Sequence, residues 1–395
     1  MTLLPLQDAQ SRLLDLVTPL PCRAMPLSEC LGHFLAADLR ARRSQPASDL
    51  SAMDGFAVEG GGPWRIVGSS RAGAPYAGAL ASGEAVRIST GAAVPDGADR
   101  ILIKESAAQE GTALSILRDA PAAGRHIRRA GFDFAAGDTV LRSGAAVTPA
   151  AIALAAMAGH SQLPVRRRPI VAILESGDEL SSDPESCSAY QIPSSNGLML
   201  AALLSHLPCE IRRIGPVRDD HESLAAALDE VQDCDLLVTS GGASVGDHDL
   251  VGPALEAWGA ATKFWRVAIK PGKPLMAARK EGCVIIGLPG NPVSSFVTAY
   301  LFVLPAMRAL LGSASPLPRP LLLQTTVDLP ATGSRREFIR ARLTDLGAMP
   351  LAEQDSSALL NLTRADGLIE RPENCAGVKS GAHVPFYPVQ NGAIA

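Results

Sequence analysis

Between residues 169 and 312, short apolar runs alternate with helical patterns, and this rhythm restricts the fold more than any other feature of the chain. PIVAIL, EIRRIGPV, DLLVTS and CVIIGL read as strands. NGLMLAALLSHL, HESLAAALDEV and PVSSFVTAYLFVL read as helices, and LVGPALEAWG as a broken helical pattern. In HESLAAALDEV, Leu224, Ala227, Leu228 and Val231 fall on one face. Parallel strands need crossover connections, usually helical, so this alternation predicts βαβ units and a doubly wound parallel sheet covered on both faces.

The rest of the chain reads differently. Residues 1–40 suggest two short helices separated by Pro19–Pro21. From Arg43 to Gly144, WRIVG, AVRIST, RILIKES and ALSIL alternate with Gly, Pro and Asp, the pattern of a β-rich domain. TPAAIALAAMAGH is a self-contained helix, with Thr148 as N-cap, Pro149 first and Gly159 at the stop. After the Pro-rich linker SASPLPRP, residues 321–395 return to short strands, predicting a small barrel or sandwich. At 395 residues the chain is long enough for several such domains.

Charge and cysteine usage exclude some functions. The net charge of −4 provides no basic field for nucleic acid. The seven cysteines (22, 30, 187, 209, 234, 283, 375) never stand as C-x-x-C, so neither a structural zinc nor a disulfide framework is expected, and a reducing cytoplasm is. MTLLPLQDAQ lacks the basic start of a signal peptide. The uncharged stretch 282–307 contains LPGNP and Pro305, which are expected to interrupt any membrane-spanning helix.

Three strands run into unusual loops. AILESGDEL ends in Asp178 and Glu179, and LLVTSGGASVGDHD ends in Asp247 and Asp249. In IIGLPGNPVSS, Asn291 reads as N-cap and Pro292 as the first helical residue, leaving free N–H groups at the helix start. Loops at the carboxyl ends of parallel strands converge on one crevice. Acids, a Gly-rich loop and a helix start there suit a phosphorylated ligand bridged by Mg²⁺. In AIKPGKPLM, Lys270 and Lys273 straddle a Pro-Gly turn able to take a small oxyanion or a phosphate. Each piece alone is equally an ordinary solvated turn. SAMDGFA, with Asp54, and RISTGAAVPDGAD, with Thr90 and Gly91, are on chemistry alone turns.

Together and in this order, SAMDGFA, RISTGAAVPDGAD, SGDEL, SGGASVG, KPGKP and GLPGNPVS resemble the molybdopterin molybdenumtransferase family of bacterial MoeA and the gephyrin E domain. The resemblance runs from Leu3 to the C-terminal GVKSGAHVPFYPV. It implies four domains: domain I, discontinuous, at 1–45 and 140–167; domain II, β-rich, at 46–139; domain III, similar to the MoaB/MogA adenylyltransferase fold, at 168–313; and domain IV, a small β-barrel, at 314–395. It also implies a homodimer whose cleft is shared between subunits, and a molybdopterin adenylyltransferase acting upstream.

The implied reaction is insertion of molybdate into adenylylated molybdopterin with release of AMP and a requirement for Mg²⁺. By resemblance, Lys270, Lys273, Arg335 and Ser356 bind molybdate; Asp178, Glu179 and Asp249 hold the metal. Ser240, Gly241, Gly242, Ser244, Gly246, Gly290, Asn291 and Pro292 line the pterin or phosphate pocket, while Asp54, Thr90 and Asp133 contribute to activity. The chain departs from the family pattern at Leu50, Glu175, Ser194 and Ala358. Glu175 adds a carboxylate and Ser194 removes one, so Glu175 is expected to replace part of what position 194 supplies. These departures keep two alternatives open: a tungstate-preferring insertase, or a pterin-binding scaffold without turnover.

Overall fold

The computed structural model describes residues 3–241 and 250–389. The chain forms two compact units: Met1–Ala37 with Ser143–Thr148 and Pro164–Ala395, and Asp38–Arg142 with Pro149–Leu163.

The first unit contains the strand–helix alternation. Its six strands lie in the order Glu210–Val217, Ile170–Ser176, Leu236–Ser240, Cys283–Leu288, Met276–Lys280, Ala261–Trp265. The first four run parallel, as expected. Met276–Lys280 pairs antiparallel with both Cys283–Leu288 and Ala261–Trp265, so the sheet is mixed rather than purely parallel. Lys280 pairs with Cys283, leaving only Glu281 and Gly282 to reverse the chain, and a two-residue connection permits only an antiparallel neighbour. One face of the sheet packs under helix His221–Asp229, whose Leu224, Ala227 and Leu228 are buried together with Val231 just beyond it. Helix Val251–Ala257 forms on the same side despite Pro253, because first-turn N–H groups need no partner within the helix.

The other face is covered by helix Asn196–Leu204 and by the helical run Pro292–Leu310. That run continues through Pro305, contrary to the expected interruption. A π-helical turn at Ala299–Val303 precedes the proline and relieves the ring's clash with the preceding carbonyls. The run is long and apolar enough to cross a membrane, but 89% of it is buried within the chain, as befits a core helix.

Among the described residues of the N-terminus one α-helix forms, Leu6–Leu14, not two. Cys22–Pro26 is extended and a single 3₁₀ turn follows at Leu27–Glu29. Pro19, Pro21 and Pro26 lack the N–H that a second helix would need. Beyond the linker, Arg336–Thr344, Gly367–Arg371, His383–Pro388 and Leu321–Gln324 form a second sheet, joined at its edge by Ile269–Lys270 from before the linker, with Gly347–Pro350 folding back on Arg336–Thr344. A bridge between Thr325 and Ala348 joins the outer strand to that hairpin.

The second unit is built on six strands in the order Arg100–Ile103, Gly55–Val58, Glu84–Ile88, Trp64–Ser70, Ala113–Ile116, Ala107–Glu110. Phe56, Val58, Trp64, Ala85, Leu102 and Leu114 form its larger core. Helix Pro149–Met157 stops as expected: Gly159 adopts φ 93° and His160 N–H bonds to Ala155 O at 3.0 Å.

Candidate active site

The site grows from the carboxyl ends of the parallel strands. Ile170–Ser176 delivers Asp178 and Glu179, and Asp178 Oδ1 accepts the Asp219 N–H at 3.3 Å. Burial, then the charges of Asp178 and Glu179, push the Asp219 carboxyl above its ordinary value. Asp219 thus lies within reach of the Asp178 and Glu179 charges and stands outside the expected set, although no three acids among the described residues form a metal-ligand cluster. The signal was present in VRDDHES: of two acids between a strand and a helix, Asp220 caps the helix, receiving Ser223 N–H at 2.8 Å. Its neighbour Asp219 does not cap the helix; its carboxylate instead faces the Ser176 hydroxyl and the Asp178 N–H.

Leu236–Ser240 leads into the Gly-rich loop. Gly241 adopts φ 94°, and a Cβ there would stand 2.7 Å from Ser176 O, so the chain passes this point only as glycine. Gly290, in the third loop, lies against the Gly241 backbone. The three loops thus meet backbone to backbone. Asn196, outside the expected set, ties two of them: its Nδ2 donates to Ser240 Oγ at 2.9 Å and to Gly290 O at 2.7 Å. Gly242, Ser244, Gly246, Asp247 and Asp249 lie outside the described residues.

In the third loop Asn291 occupies the N-cap position, its carbonyl accepting Ser295 N–H at 2.8 Å, and Pro292 is first in the helix, both as expected. Instead of capping, the Asn291 side chain reaches the second sheet, donating from Nδ2 to Ser356 Oγ at 3.1 Å. Val293 N–H bonds to Ser356 O at the same distance. The loop bearing Ser356 wraps the buried Arg340, whose Nη2 donates to Glu353 O and Asp355 O, each at 3.0 Å. At Ala358, no side chain contributes to the cap of the short helix that follows.

Lys270 and Arg335 are set by strand pairing. Lys270 registers against Glu337 in a parallel pair, and its Nζ bonds to Glu337 Oε1 at 3.2 Å. Arg335 stands two positions before Glu337 and makes no ion pair among the described residues. Arg336, on the opposite side of the strand, is locked by Glu370 at 2.7 Å and Glu373 at 3.0 Å. Lys273 is exposed and likewise has no ion-pair partner among the described residues. The KPGKP turn is no free loop, because a side chain on Gly272 would overlap Thr298 of the core helix.

Contrary to the expectation from the sequence, Glu175 adds no carboxylate to the site surface. It is 3% exposed and accepts Ser194 Oγ–H at 2.7 Å, with Arg213 at 3.8 Å. The two departures form one buried pair.

Within the second unit, Asp54 Oδ1 accepts the Thr90 N–H at 2.6 Å and Oγ1–H at 2.9 Å. These bonds hold the Asp54 carboxyl below its ordinary range. Two motifs 36 residues apart are thereby one structural element. Asp133 is exposed, its backbone N–H bonded to Gln45 O at 2.9 Å, and no bond joins it to Asp54 or Thr90. Leu50 pairs with Arg128 in a short antiparallel ladder.

A mixed α/β module with acidic and Gly-rich loops at its strand ends, followed by a β domain whose Ser356 bonds to one of them, is a multidomain architecture of the MoeA class. Family models agree over most of the chain: the MoeA N-terminal region (domain I and II) matches residues 4–159, a probable molybdopterin binding domain 172–309, and the MoeA C-terminal region (domain IV) 323–389. Molybdopterin molybdenumtransferase 2 of Mycobacterium tuberculosis is 34% identical over 93% of this chain and 95% of its own. The Haemophilus influenzae molybdopterin molybdenumtransferase is 35% identical over 78% of each. A crystal structure of the Pyrococcus horikoshii molybdopterin biosynthesis MoeA protein superposes with a TM-score of 0.84 at 26% identity, covering 98% of this chain and 100% of that one. The chain belongs to the molybdopterin molybdenumtransferase family.

Proposed function

We propose that the protein inserts molybdate into adenylylated molybdopterin, releasing AMP, in a Mg²⁺-dependent reaction. The observation that carries this reading is the junction of the helix start at Asn291–Pro292 with Ser356 of the following β domain, beside the Gly241 and Gly290 loops. Gly241, Gly290 and the helix start offer backbone approach and N–H groups to a phosphate and the pterin. Ser240 and Pro292 shape that wall; Gly242, Ser244 and Gly246, which the resemblance assigns to it, lie outside the described residues. Lys273, Arg335 and Ser356 receive the oxyanion, with Lys270 braced by Glu337 beside them. Binding the oxyanion next to the pterin's dithiolene sulfurs replaces its water shell with fixed cations and hydroxyls.

Among the described residues no three acids form a ready-made metal-ligand cluster, but Asp178, Glu179 and Asp219 offer hard oxygen donors of the kind a divalent cation takes, the Asp219 carboxyl being raised first by burial and then by the other two charges. These residues, with Asp249, are the ones that would hold magnesium. When bound, the ion neutralises pyrophosphate charge and polarises the bond to AMP. Asp54 and Thr90 complete the cleft from a second subunit of a homodimer, and Asp133 contributes to activity.

The domain layout we infer is 1–45 with 140–167, then 46–139, 168–313 and 314–395. The Thr325–Ala348 bridge supports reading the last as a small barrel. The setting is cytoplasmic, downstream of an adenylyltransferase.

The test is anaerobic AMP release from adenylylated molybdopterin and Mg²⁺ with molybdate, with tungstate and with neither. Oxyanion-dependent release abolished by Lys273→Ala supports the transfer reaction, and the faster anion identifies the physiological one. Tight binding with no release under any oxyanion overturns it.

A further inference from the structure

We propose that Asn196 is a positioning residue that sets the gap between the Ser240–Gly241 loop and the Gly290–Asn291 loop, and so the fit of the pterin nucleotide between them. The inference rests on the proposed site. Strands Leu236–Ser240 and Cys283–Leu288 pair directly, Ser240 against Leu288, so the two loops leave the sheet side by side. Among the described residues the strand pairing ends there, at Ser240 and Leu288. Asn196, the first residue of the Asn196–Leu204 helix, lies across them, its Nδ2 2.9 Å from Ser240 Oγ and 2.7 Å from Gly290 O. Gly290 O can only accept, which identifies the contacting Asn196 atom as the nitrogen. One atom carrying two hydrogens is needed to serve both partners. A carboxamide provides it; a carboxylate or a hydroxyl does not.

The clamp is itself anchored. Two residues earlier Ser194 is bonded to the buried Glu175, and Gly197 beside Asn196 leaves the space that the Glu175 carboxylate fills. Glu175 is the penultimate residue of Ile170–Ser176, so the helix start is pinned to the end of a third strand. Asn196 thereby transmits the position of one strand end to the loops leaving the other two. Its chemistry is not consumed in the reaction.

The test compares wild type, Asn196→Asp, Asn196→Ala, Ser240→Ala and the Asn196→Ala/Ser240→Ala double variant in the full chain. Leu198→Ala, an exposed residue of the same helix, is the control. Anaerobic pterin fluorescence gives Kd for adenylylated molybdopterin, AMP release gives KM and kcat, and thermal melting reports the fold.

Expected are Kd and KM about tenfold or more higher for both Asn196 variants, with kcat within about threefold and melting close to wild type. Because Ser240 is one of the two partners, adding Asn196→Ala to Ser240→Ala costs less than it does in wild type. Wild-type Kd in Asn196→Asp, full additivity with Ser240→Ala, or an equal loss in Leu198→Ala overturns the proposal. If the wild type binds the nucleotide but releases no AMP, the transfer reading falls while the Kd values still decide the role of Asn196. If it does not bind, both fall.

Discussion

Gln10 Nε2 donates to Leu301 O at 3.0 Å, across a separation of 291 residues. In an uninterrupted helix that carbonyl accepts the N–H of residue 305, which here is a proline. A buried side chain from the N-terminal helix thus satisfies an acceptor that the core helix leaves open. Gln10→Leu keeps the packing volume and removes the donor, and is expected to destabilise the fold by about 1–3 kcal/mol, the cost of an unsatisfied buried polar group. Chemical denaturation of the two proteins measures it; equal midpoints mean the carbonyl finds another donor.

The Glu175–Ser194 pair gives the second expectation. Ser194→Ala removes the near hydrogen-bond donor of a carboxylate that is 3% exposed and leaves Arg213 at 3.8 Å as its nearest cation. A loss of about 1–3 kcal/mol is expected. Gly197→Ala drives a methyl group into the same carboxylate and is expected to cost at least as much. Glu175→Gln, which keeps an acceptor for Ser194, is expected to be the mildest of the three in denaturant melts.

These two cases show where the sequence is readable. The βαβ rhythm, the buried face of His221–Asp229 and the Asn291–Pro292 helix start follow from local pattern alone, because period and capping act within a few residues. Gln10, Asn196 and the Glu175–Ser194 pair were not legible as contacts, because each joins residues distant along the chain. Pro305 was misread for the same reason: the rule for a proline in an isolated helix assumes no outside donor. The antiparallel edge was misread because EG was not recognised as a tight turn. Asp219 was the exception, a local signal that went unused.

Asp219 carries a pH dependence of definite sign. Its carboxyl lies above the ordinary aspartate value of about 3.9, first through burial and then through Asp178 and Glu179. A raised folded value means a stabilising contribution that is complete below the unfolded value and is lost as pH rises through the folded one. Asp219→Asn is expected to remove that slope and to be no less stable than wild type at neutral pH. Mg²⁺ is expected to raise the wild-type Tm at neutral pH, chelation to reverse it, and Asp219→Asn to show a smaller shift. A wild-type Tm indifferent to Mg²⁺ counts against metal binding at these acids.

For Asp54 the sign is opposite. Its folded value is depressed by the Thr90 N–H and hydroxyl, so its contribution is present above the unfolded aspartate value and is lost as pH falls through the depressed one. The carboxyl resonance of Asp54 is expected to titrate below about 3.9 by NMR, and to move back toward that value in Thr90→Val. Asp54→Asn is expected to lower AMP release by about a hundredfold, and to melt slightly below wild type at neutral pH because the charge-assisted bonds from Thr90 are lost. Unchanged turnover leaves it a turn residue.

Arg335 and Arg336 are adjacent in sequence and separate structural from functional charge. Arg336 is 12% exposed in its side chain and paired with Glu370 and Glu373, so Arg336→Ala leaves two partly buried carboxylates without their cation. A loss of about 3 kcal/mol is expected, because breaking a buried pair uncovers its partners' desolvation. Arg335 makes no ion pair among the described residues and lies on the face shared by Glu337 and Lys270. Arg335→Ala is therefore expected to leave the melting curve in place and to raise the molybdate concentration for half-maximal AMP release by about tenfold, the loss of one charge-assisted contact. Glu337→Gln, which frees Lys270, is expected to shift that concentration the other way. Should Arg335→Ala unfold the protein while Arg336→Ala weakens molybdate, the assignment of the two guanidinium groups is reversed.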